Sequence, residues 1–182
     1  MRIYLIGPVG VGKSYILDEL RKQGYEVFQD PIIDKELLKT GTPYEIQAAI
    51  ESSFLLRELN NKNGIFDTSL ETAKFFTYLQ WMDGIISSEE YHKLTVLENI
   101  YTELLENSKN HYIFIKRSEE ELKRQIRHRG REYEIDNPFY DKLNDLLLLN
   151  FSAPEENLDI IELTGTDISP VINRVKELIK NE

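Results

Sequence analysis

The residues best suited to chemistry lie near the amino terminus, where glycines, a lysine and a serine recur at a fixed spacing. They are Gly7, Pro8, Val9, Gly10, Val11, Gly12, Lys13 and Ser14, which fit the pattern G-x-x-x-x-G-K-[ST]. Glycines let successive backbone N–H groups turn inward around phosphate oxygens. Lys13 is expected to reach the β and γ phosphates of a bound nucleotide, and Ser14 to bind the Mg²⁺ that bridges them. The pattern therefore predicts a nucleoside triphosphate site.

The elements around this loop follow the order that such a site requires. Residues 3–6 form an apolar run typical of a strand, and a helical pattern covers residues 14–22. Further strands are predicted over residues 25–28, 65–66, 112–115 and 160–163, with helical patterns between them, including long ones over 43–60 and 88–107. This alternation predicts an α/β fold with a five-stranded parallel sheet.

Length and composition narrow the class of protein. The 182 residues fit one domain, expected to span 1–182. The absence of Cys excludes disulfides, thiolate zinc sites and a catalytic thiol, and the three histidines are widely spaced. The net charge of -10 argues against general binding to nucleic acid, and no apolar run approaches the roughly 20 residues of a membrane span. We expect a cytoplasmic protein that binds neither nucleic acid nor membrane.

A second acidic position follows the predicted strand at residues 65–66. Asp67 could bind Mg²⁺ beside Ser14, since a carboxylate at the end of a strand suits that role. Alternatively, Asp67 or Ser69 could cap the next helix, because both residue types are favoured caps. The sequence leaves both roles open.

A basic segment over residues 123–131, KRQIRHRGR, interrupts this acidic chain. Lys123, Arg127 and Arg131 lie at i, i+4 and i+8, so a helix would direct several cations the same way. Arginine can fork onto phosphate oxygens, and the segment therefore predicts a phosphate clamp. The alternative is a solvated basic face offset by the acids at 119–121.

Together these residues resemble the deoxynucleoside kinases, especially the compact bacterial deoxyadenosine/deoxyguanosine kinase type, over most of the chain. Besides the phosphate loop, Gln29-Asp30-Pro31 is similar to the family's Glu-Pro, and Asp67-Thr68-Ser69 is similar to its Asp/Glu-Arg-Ser. The segment Arg129-Gly130-Arg131-Glu132-Tyr133-Glu134 is similar to its Arg-Gly-Arg lid with a following Glu.

The resemblance implies a three-layer α/β fold of the P-loop NTPase type, in which helices surround a five-stranded parallel sheet. It also implies Mg²⁺-dependent transfer of the γ-phosphoryl group of ATP to the 5′-hydroxyl of a 2′-deoxynucleoside, commonly by a homodimer. The implied roles are a general base at Asp30, a Mg²⁺ ligand at Asp67, a lid over about 123–137 that closes Arg127, Arg129 and Arg131 over the phosphates, and a ligand of the sugar 3′-hydroxyl at Glu134. Gln47 and Glu51, one helical turn apart, are expected to contact the base, the alternative being ordinary helix surface.

Several positions depart from the family pattern, including Thr72 and Ala73, which lie where the family has an Asp after its Asp-Arg-Ser. Thr68 stands where the family has the Arg that stabilises the reacting oxygen and phosphoryl group, and Gln125 stands where the first lid Arg usually falls. Asp30 replaces the more usual Glu. Two alternatives therefore remain: a nucleoside monophosphate kinase, and a nucleotide-binding regulator with little or no kinase activity. The first needs a cationic site for the acceptor phosphate, and the acids near Arg57 match that poorly.

Overall fold

The computed structural model describes residues 1–105, 109–130, 137–151 and 156–181, without the side chain of Arg129. The strands are β1 (Arg2–Ile6), β2 (Val27–Phe28), β3 (Gly64–Asp67), β4 (Asn110–Lys116) and β5 (Leu158–Glu162). The helices are α1 (Lys13–Lys22), α2 (Lys35–Thr40), α3 (Pro43–Asn60), α4 (Leu70–Met82), α5 (Ser88–Leu105), α6 (Glu119–Arg129), α7 (Pro138–Asn150) and α8 (Ser169–Lys180).

The described strands form one parallel sheet in the order β2-β3-β1-β4-β5. Every residue of β1 is buried, as expected for the central strand of a parallel sheet. Leu5 lies in register with Asp67 on one side and with Ile113 on the other. The carboxyl ends of β3, β1 and β4 therefore meet at one edge of the sheet, where α/β proteins bind their ligands. The predicted α/β fold with a five-stranded parallel sheet is confirmed.

The contacts divide the chain into two compact units. The first, called the sheet unit, comprises Met1–Gln29, Asn63–Thr68 and Lys109–Glu182, and its core includes Leu5, Leu17, Ile113 and Val171. The second, called the helical unit, comprises Asp30–Lys62 and Ser69–Ser108, and its core is Phe54, Leu55, Leu70, Ala73 and Leu105. The single domain expected over 1–182 stays a prediction.

Local signals placed helix boundaries more accurately than strand boundaries. Thr42 and Glu45 form the reciprocal capping box of α3, and the bounds of that helix match the predicted 43–60. All five strands differ from their predicted extents. β1, β3 and β4 are longer than the predicted 3–6, 65–66 and 112–115. β2 begins at Val27 rather than at residue 25, and β5 covers Leu158–Glu162 rather than 160–163. Among the described residues, no helix combines the length and hydropathy needed to cross a bilayer.

Candidate active site

The phosphate loop joins β1 to α1, in the order strand, loop, helix that the sequence predicted. Gly7, Gly10 and Gly12 have φ values of 151°, 85° and 101°, in the region that glycine adopts without steric cost. The Lys13 ammonium donates a hydrogen bond to the Gly7 carbonyl at 3.1 Å, so it lies over the loop. Ser14 is the second residue of α1, at the positive end of that helix. This arrangement suits an anionic ligand.

Helix α6 packs against this loop at Gly10. A Cβ at Gly10 would lie 2.7 Å from Cγ1 of Ile126 and 3.1 Å from the carbonyl oxygen of Leu122. Both of these residues belong to α6, which also carries most of the basic segment. The missing side chain at Gly10 is therefore what lets the basic helix approach the phosphate loop.

A buried arginine that belongs to none of the sequence motifs also contacts the loop. Arg117 follows β4 directly, its side chain is 4% exposed, and its Nε donates to the Val11 carbonyl at 2.9 Å. The amide oxygen of Asn144 accepts a hydrogen bond from the backbone N–H of Val9 at 2.9 Å. The only sequence signal for Arg117 was its place just after a predicted strand.

Asp67 ends β3 and is 7% exposed. The cap of α4 is Ser69, whose hydroxyl accepts a hydrogen bond from the backbone N–H of Thr72. Of the two roles that the sequence left open, capping thus falls to Ser69. A carboxylate at Asp67 and a hydroxyl at Ser14 are oxygen donors, the kind that Mg²⁺ prefers, so the residues present fit that ion.

Thr68, at the position of the family's Arg, has an unusual backbone. Its φ is 56°, and its backbone N–H donates to the Leu5 carbonyl at 3.1 Å. A β-branched residue is an outlier in this left-handed region. The end of β3 is therefore held in a strained conformation.

The basic segment falls partly on α6. Lys123 pairs with Glu119 at 2.6 Å and Arg124 with Glu121 at 3.8 Å, as the solvated-face alternative expected for these two cations. Arg127 is exposed on the same helix, which Gly130 ends with a φ of 69°. The side chain of Arg129 and the whole of Arg131 and Glu134 lie outside the described part of the chain, so their roles stay predictions.

In the helical unit, Asp30 lies beside a buried arginine. Nη1 of Arg57 is 3.9 Å from Oδ1 of Asp30, and the two side chains are 8% and 55% exposed. Nη2 of Arg57 donates to the Glu58 carboxylate at 3.4 Å, and its guanidinium lies 4.6 Å from the centre of the Phe54 ring. An exposed carboxylate is thus held close to a cation that buried groups keep in place.

Gln47 and Glu51 belong to a buried polar cluster in the helical unit. They are 1% and 0% exposed, which excludes the alternative of ordinary helix surface. The Gln47 amide donates to Glu51 Oε1 at 3.2 Å and to Thr77 at 3.0 Å, and the Thr77 hydroxyl donates to Glu51 Oε1 at 2.5 Å. The Gln80 amide donates to the Gln47 carbonyl oxygen at 3.3 Å. The structure thus brings both predicted base-contacting residues together.

The environment of Glu51 favours its neutral form. Burial raises the pKa of the Glu51 carboxyl to about 8, opposed by the hydrogen bonds from Thr77 and Gln47 and assisted by the nearby Glu98 carboxylate. At neutral pH Glu51 is therefore mostly a carboxylic acid, which carries an O–H donor as well as an acceptor oxygen.

Comparison with known proteins identifies the family of this chain. Residues 3–146 match the family model described as deoxynucleoside kinase. The chain belongs to the deoxynucleoside kinase family. No relative among curated protein sequences matches it significantly.

Solved structures similar to this deoxynucleoside kinase family member include deoxyadenosine kinase from M. mycoides. The form with bound dATP is 22% identical with a TM-score of 0.71, over 97% of this chain and 100% of that chain. The form with bound dCTP is 21% identical with a TM-score of 0.75, over 100% of both chains. The resemblance predicted from the motifs, including the P-loop NTPase type of fold, is thereby confirmed, and membership of the family supports a kinase that phosphorylates nucleosides.

Proposed function

We propose that this protein transfers the γ-phosphoryl group of ATP, with Mg²⁺, to the 5′-hydroxyl of a 2′-deoxynucleoside. The observation that carries the proposal is the phosphate loop, placed between a buried strand and a helix, in a chain of the deoxynucleoside kinase family. Phosphoryl transfer depends mainly on positioning and on neutralising charge, and the loop offers backbone N–H groups and Lys13 for both.

On the donor side, the loop and Lys13 bind the phosphates of ATP. Ser14 and Asp67 hold Mg²⁺, which when bound neutralises charge on the phosphate oxygens. Arg127, Arg129 and Arg131 supply further positive charge from the lid. The contact between α6 and Gly10 supports this assignment, because it joins the lid helix to the loop.

On the acceptor side, Asp30 accepts the proton of the 5′-hydroxyl and orients that group for attack. Its exposed carboxylate supports this role, and the Arg57 guanidinium lies 3.9 Å from it. Glu134 binds the sugar 3′-hydroxyl, and Gln47 and Glu51 act at the base.

The two alternative functions have less support. A monophosphate kinase needs cations that bind the phosphate of the acceptor. Arg57 on α3 lies beside Asp30, but its guanidinium already contacts the carboxylates of Asp30 and Glu58. A regulator with little kinase activity is favoured by the two departures from the family pattern, Thr68 in place of the family's Arg and Gln125 in place of the first lid Arg.

We further propose a cytoplasmic homodimer. Val96, Ile100 and Leu104 follow one another at four-residue spacing on α5 and are 45%, 46% and 58% exposed. Residues four apart share one face of a helix, so these side chains form an apolar stripe. Such a face supports contact with a second copy of the chain.

The experiment is transfer of labelled γ-phosphate from Mg·ATP to each of the four deoxynucleosides and their 5′-monophosphates. We expect transfer to at least one deoxynucleoside, and its loss in Asp30→Ala and Lys13→Ala. Asp18→Ala and Lys22→Ala, at exposed ion-paired positions of α1, are the matched controls and should retain it. Transfer to monophosphates alone would favour the first alternative, and ATP binding without transfer would favour the second.

A further inference from the structure

We propose that Arg117 is a positioning residue that fixes the phosphate loop in its nucleotide-binding shape and joins it to α6 and to the turn at Gly165. The inference rests on the proposed binding of ATP by this loop and adds a residue that none of the motifs contains. All of the groups involved belong to the sheet unit.

The first step concerns one peptide group of the loop. Nε of Arg117 donates to the carbonyl oxygen of Val11 at 2.9 Å. In a trans peptide, the carbonyl of Val11 and the N–H of Gly12 are coplanar and point in opposite directions. Holding the oxygen against the buried guanidinium therefore directs the Gly12 N–H away from it. Arg117 thus sets the direction of one of the donors that a phosphate loop uses.

The second step concerns the groups that keep Arg117 in place. Its Nη1 donates to the Gly165 carbonyl at 2.6 Å and lies 4.0 Å from Oε1 of Glu121. The same Glu121 oxygen accepts a hydrogen bond from the Gly165 N–H at 2.7 Å. Arg117 and Glu121 together therefore bind both polar groups of Gly165, which holds the guanidinium firmly beneath the loop.

The third step concerns the lid. Arg117 precedes Ser118, the cap of α6, and Ile126 of that helix packs against Gly10. The loop is therefore held at two points, by a hydrogen bond at Val11 and by packing at Gly10. One contact is made by α6 itself and the other by the residue before its cap, so the position of the helix that carries Arg127 and the shape of the loop are linked.

The test compares Arg117→Gln and Arg117→Lys with Arg174→Gln. Arg174 donates to Asp159 at 2.6 Å at the amino-terminal part of β5, so its loss removes an equally short charged hydrogen bond from the same unit. Calorimetry gives the Kd for Mg·ATP, thermal melting gives the Tm, and steady-state kinetics give the KM for ATP and for the deoxynucleoside.

We expect Arg117→Gln to weaken ATP binding about tenfold or more, since it removes two hydrogen bonds from a charged group. The KM for ATP should rise while that for the deoxynucleoside stays the same, and Arg117→Lys should lie between this variant and the unaltered protein. Arg174→Gln should lower the Tm and leave ATP affinity unchanged. A general structural role would instead change both KM values, or neither.

Unchanged ATP affinity in Arg117→Gln would overturn the inference. If that variant does not fold, Arg117→Lys decides: weaker ATP binding at a Tm no lower than that of Arg174→Gln supports the inference, and unchanged binding overturns it. If the unaltered protein binds ATP but phosphorylates no deoxynucleoside, the proposed function is contradicted. The ATP affinities of the variants would still test the role of Arg117. If the unaltered protein fails to bind ATP, both proposals are wrong.

Discussion

At the scale of single residues, Thr68 stands out because its side chain and its backbone are poorly matched. A left-handed conformation brings Cβ close to the following carbonyl, at a cost of about 1 to 2 kcal/mol for an ordinary residue. The hydrogen bond from the Thr68 N–H to Leu5 ties this conformation to the central strand. Strain of this kind persists where the surrounding structure imposes it, commonly at functional sites.

We predict that Thr68→Asn increases the free energy of unfolding by about 0.5 to 1 kcal/mol, because Asn tolerates the left-handed region. Urea titration measures the change. Thr68→Val is the matched control, since it keeps the branched side chain and should give no increase. Equal stabilities of the Asn and Val variants would show that strain at residue 68 is not the cause.

Glu51 gives a prediction for pH dependence. Its carboxyl has an ordinary pKa of 4.5, which burial raises to about 8 in the folded chain. The folded state therefore holds this proton more tightly than the unfolded state, and its contribution to stability, complete below about pH 4.5, is lost as the pH rises towards 8. The slope from this one group is at most about 1.4 kcal/mol per pH unit.

Glu51→Gln should reduce the loss of stability between pH 6 and 8, because an amide cannot ionise. Unfolding by urea at several pH values checks this. Glu45→Gln, at an exposed position where hydrogen bonds to Thr42 lower the pKa of the carboxyl, is the control and should leave the slope in this range unchanged. A Glu51→Gln variant with the same pH dependence as the unaltered chain would contradict the prediction.

At the scale of elements, the sequence predicted those loops and helix ends that residues close together in the chain determine. The loop between β1 and α1 followed from a local motif, and the bounds of α3 followed from the capping box at Thr42 and Glu45. The strand extents were less accurate, for the interior strands β3 and β4 as well as for the edge strands β2 and β5, because register with neighbouring strands decides where a strand begins and ends. The role of Arg117 depends on Val11, 106 residues away, and no local pattern could reveal it.

The packing of α6 on the phosphate loop gives a prediction about Gly10. Gly10→Ala should weaken ATP binding at least about tenfold, because its Cβ would displace Ile126 at a backbone φ of 85°. Gly24→Ala is the matched control: φ is 90° there, and an added Cβ would meet nothing within 4 Å. The Gly24→Ala variant should lose some stability and keep its affinity for ATP.

Calorimetry with Mg·ATP and thermal melting of both variants separate the effect of the clash with α6 from the effect of backbone strain. A Gly10→Ala protein that binds ATP as the unaltered chain does would mean that contact with α6 does not shape the loop. Equal losses of affinity in both variants would mean that backbone strain alone is responsible.

At the scale of the whole molecule, the apolar stripe on α5 gives a prediction about assembly. Val96→Glu combined with Ile100→Glu should convert the proposed dimer to a monomer, because the new carboxylates would lose their hydration in the interface. Light scattering after size exclusion measures the mass. Leu149→Glu is the control, since Leu149 is 73% exposed on α7, outside the stripe, and should leave the dimer intact. A monomeric unaltered protein would contradict the proposed homodimer.

The position of β1 in the middle of the sheet has a consequence for the newly made chain. β1 and the phosphate loop are synthesised before the partners of β1, which begin at Gly64 and Asn110. Until β4 has been synthesised, one side of this buried strand has no neighbour in the sheet, and an unpaired strand edge invites contact with other chains. Arg117 is translated directly after β4. We expect ATP to stabilise the growing polypeptide only late in translation, after the strands and the arginine that support the phosphate loop have been made.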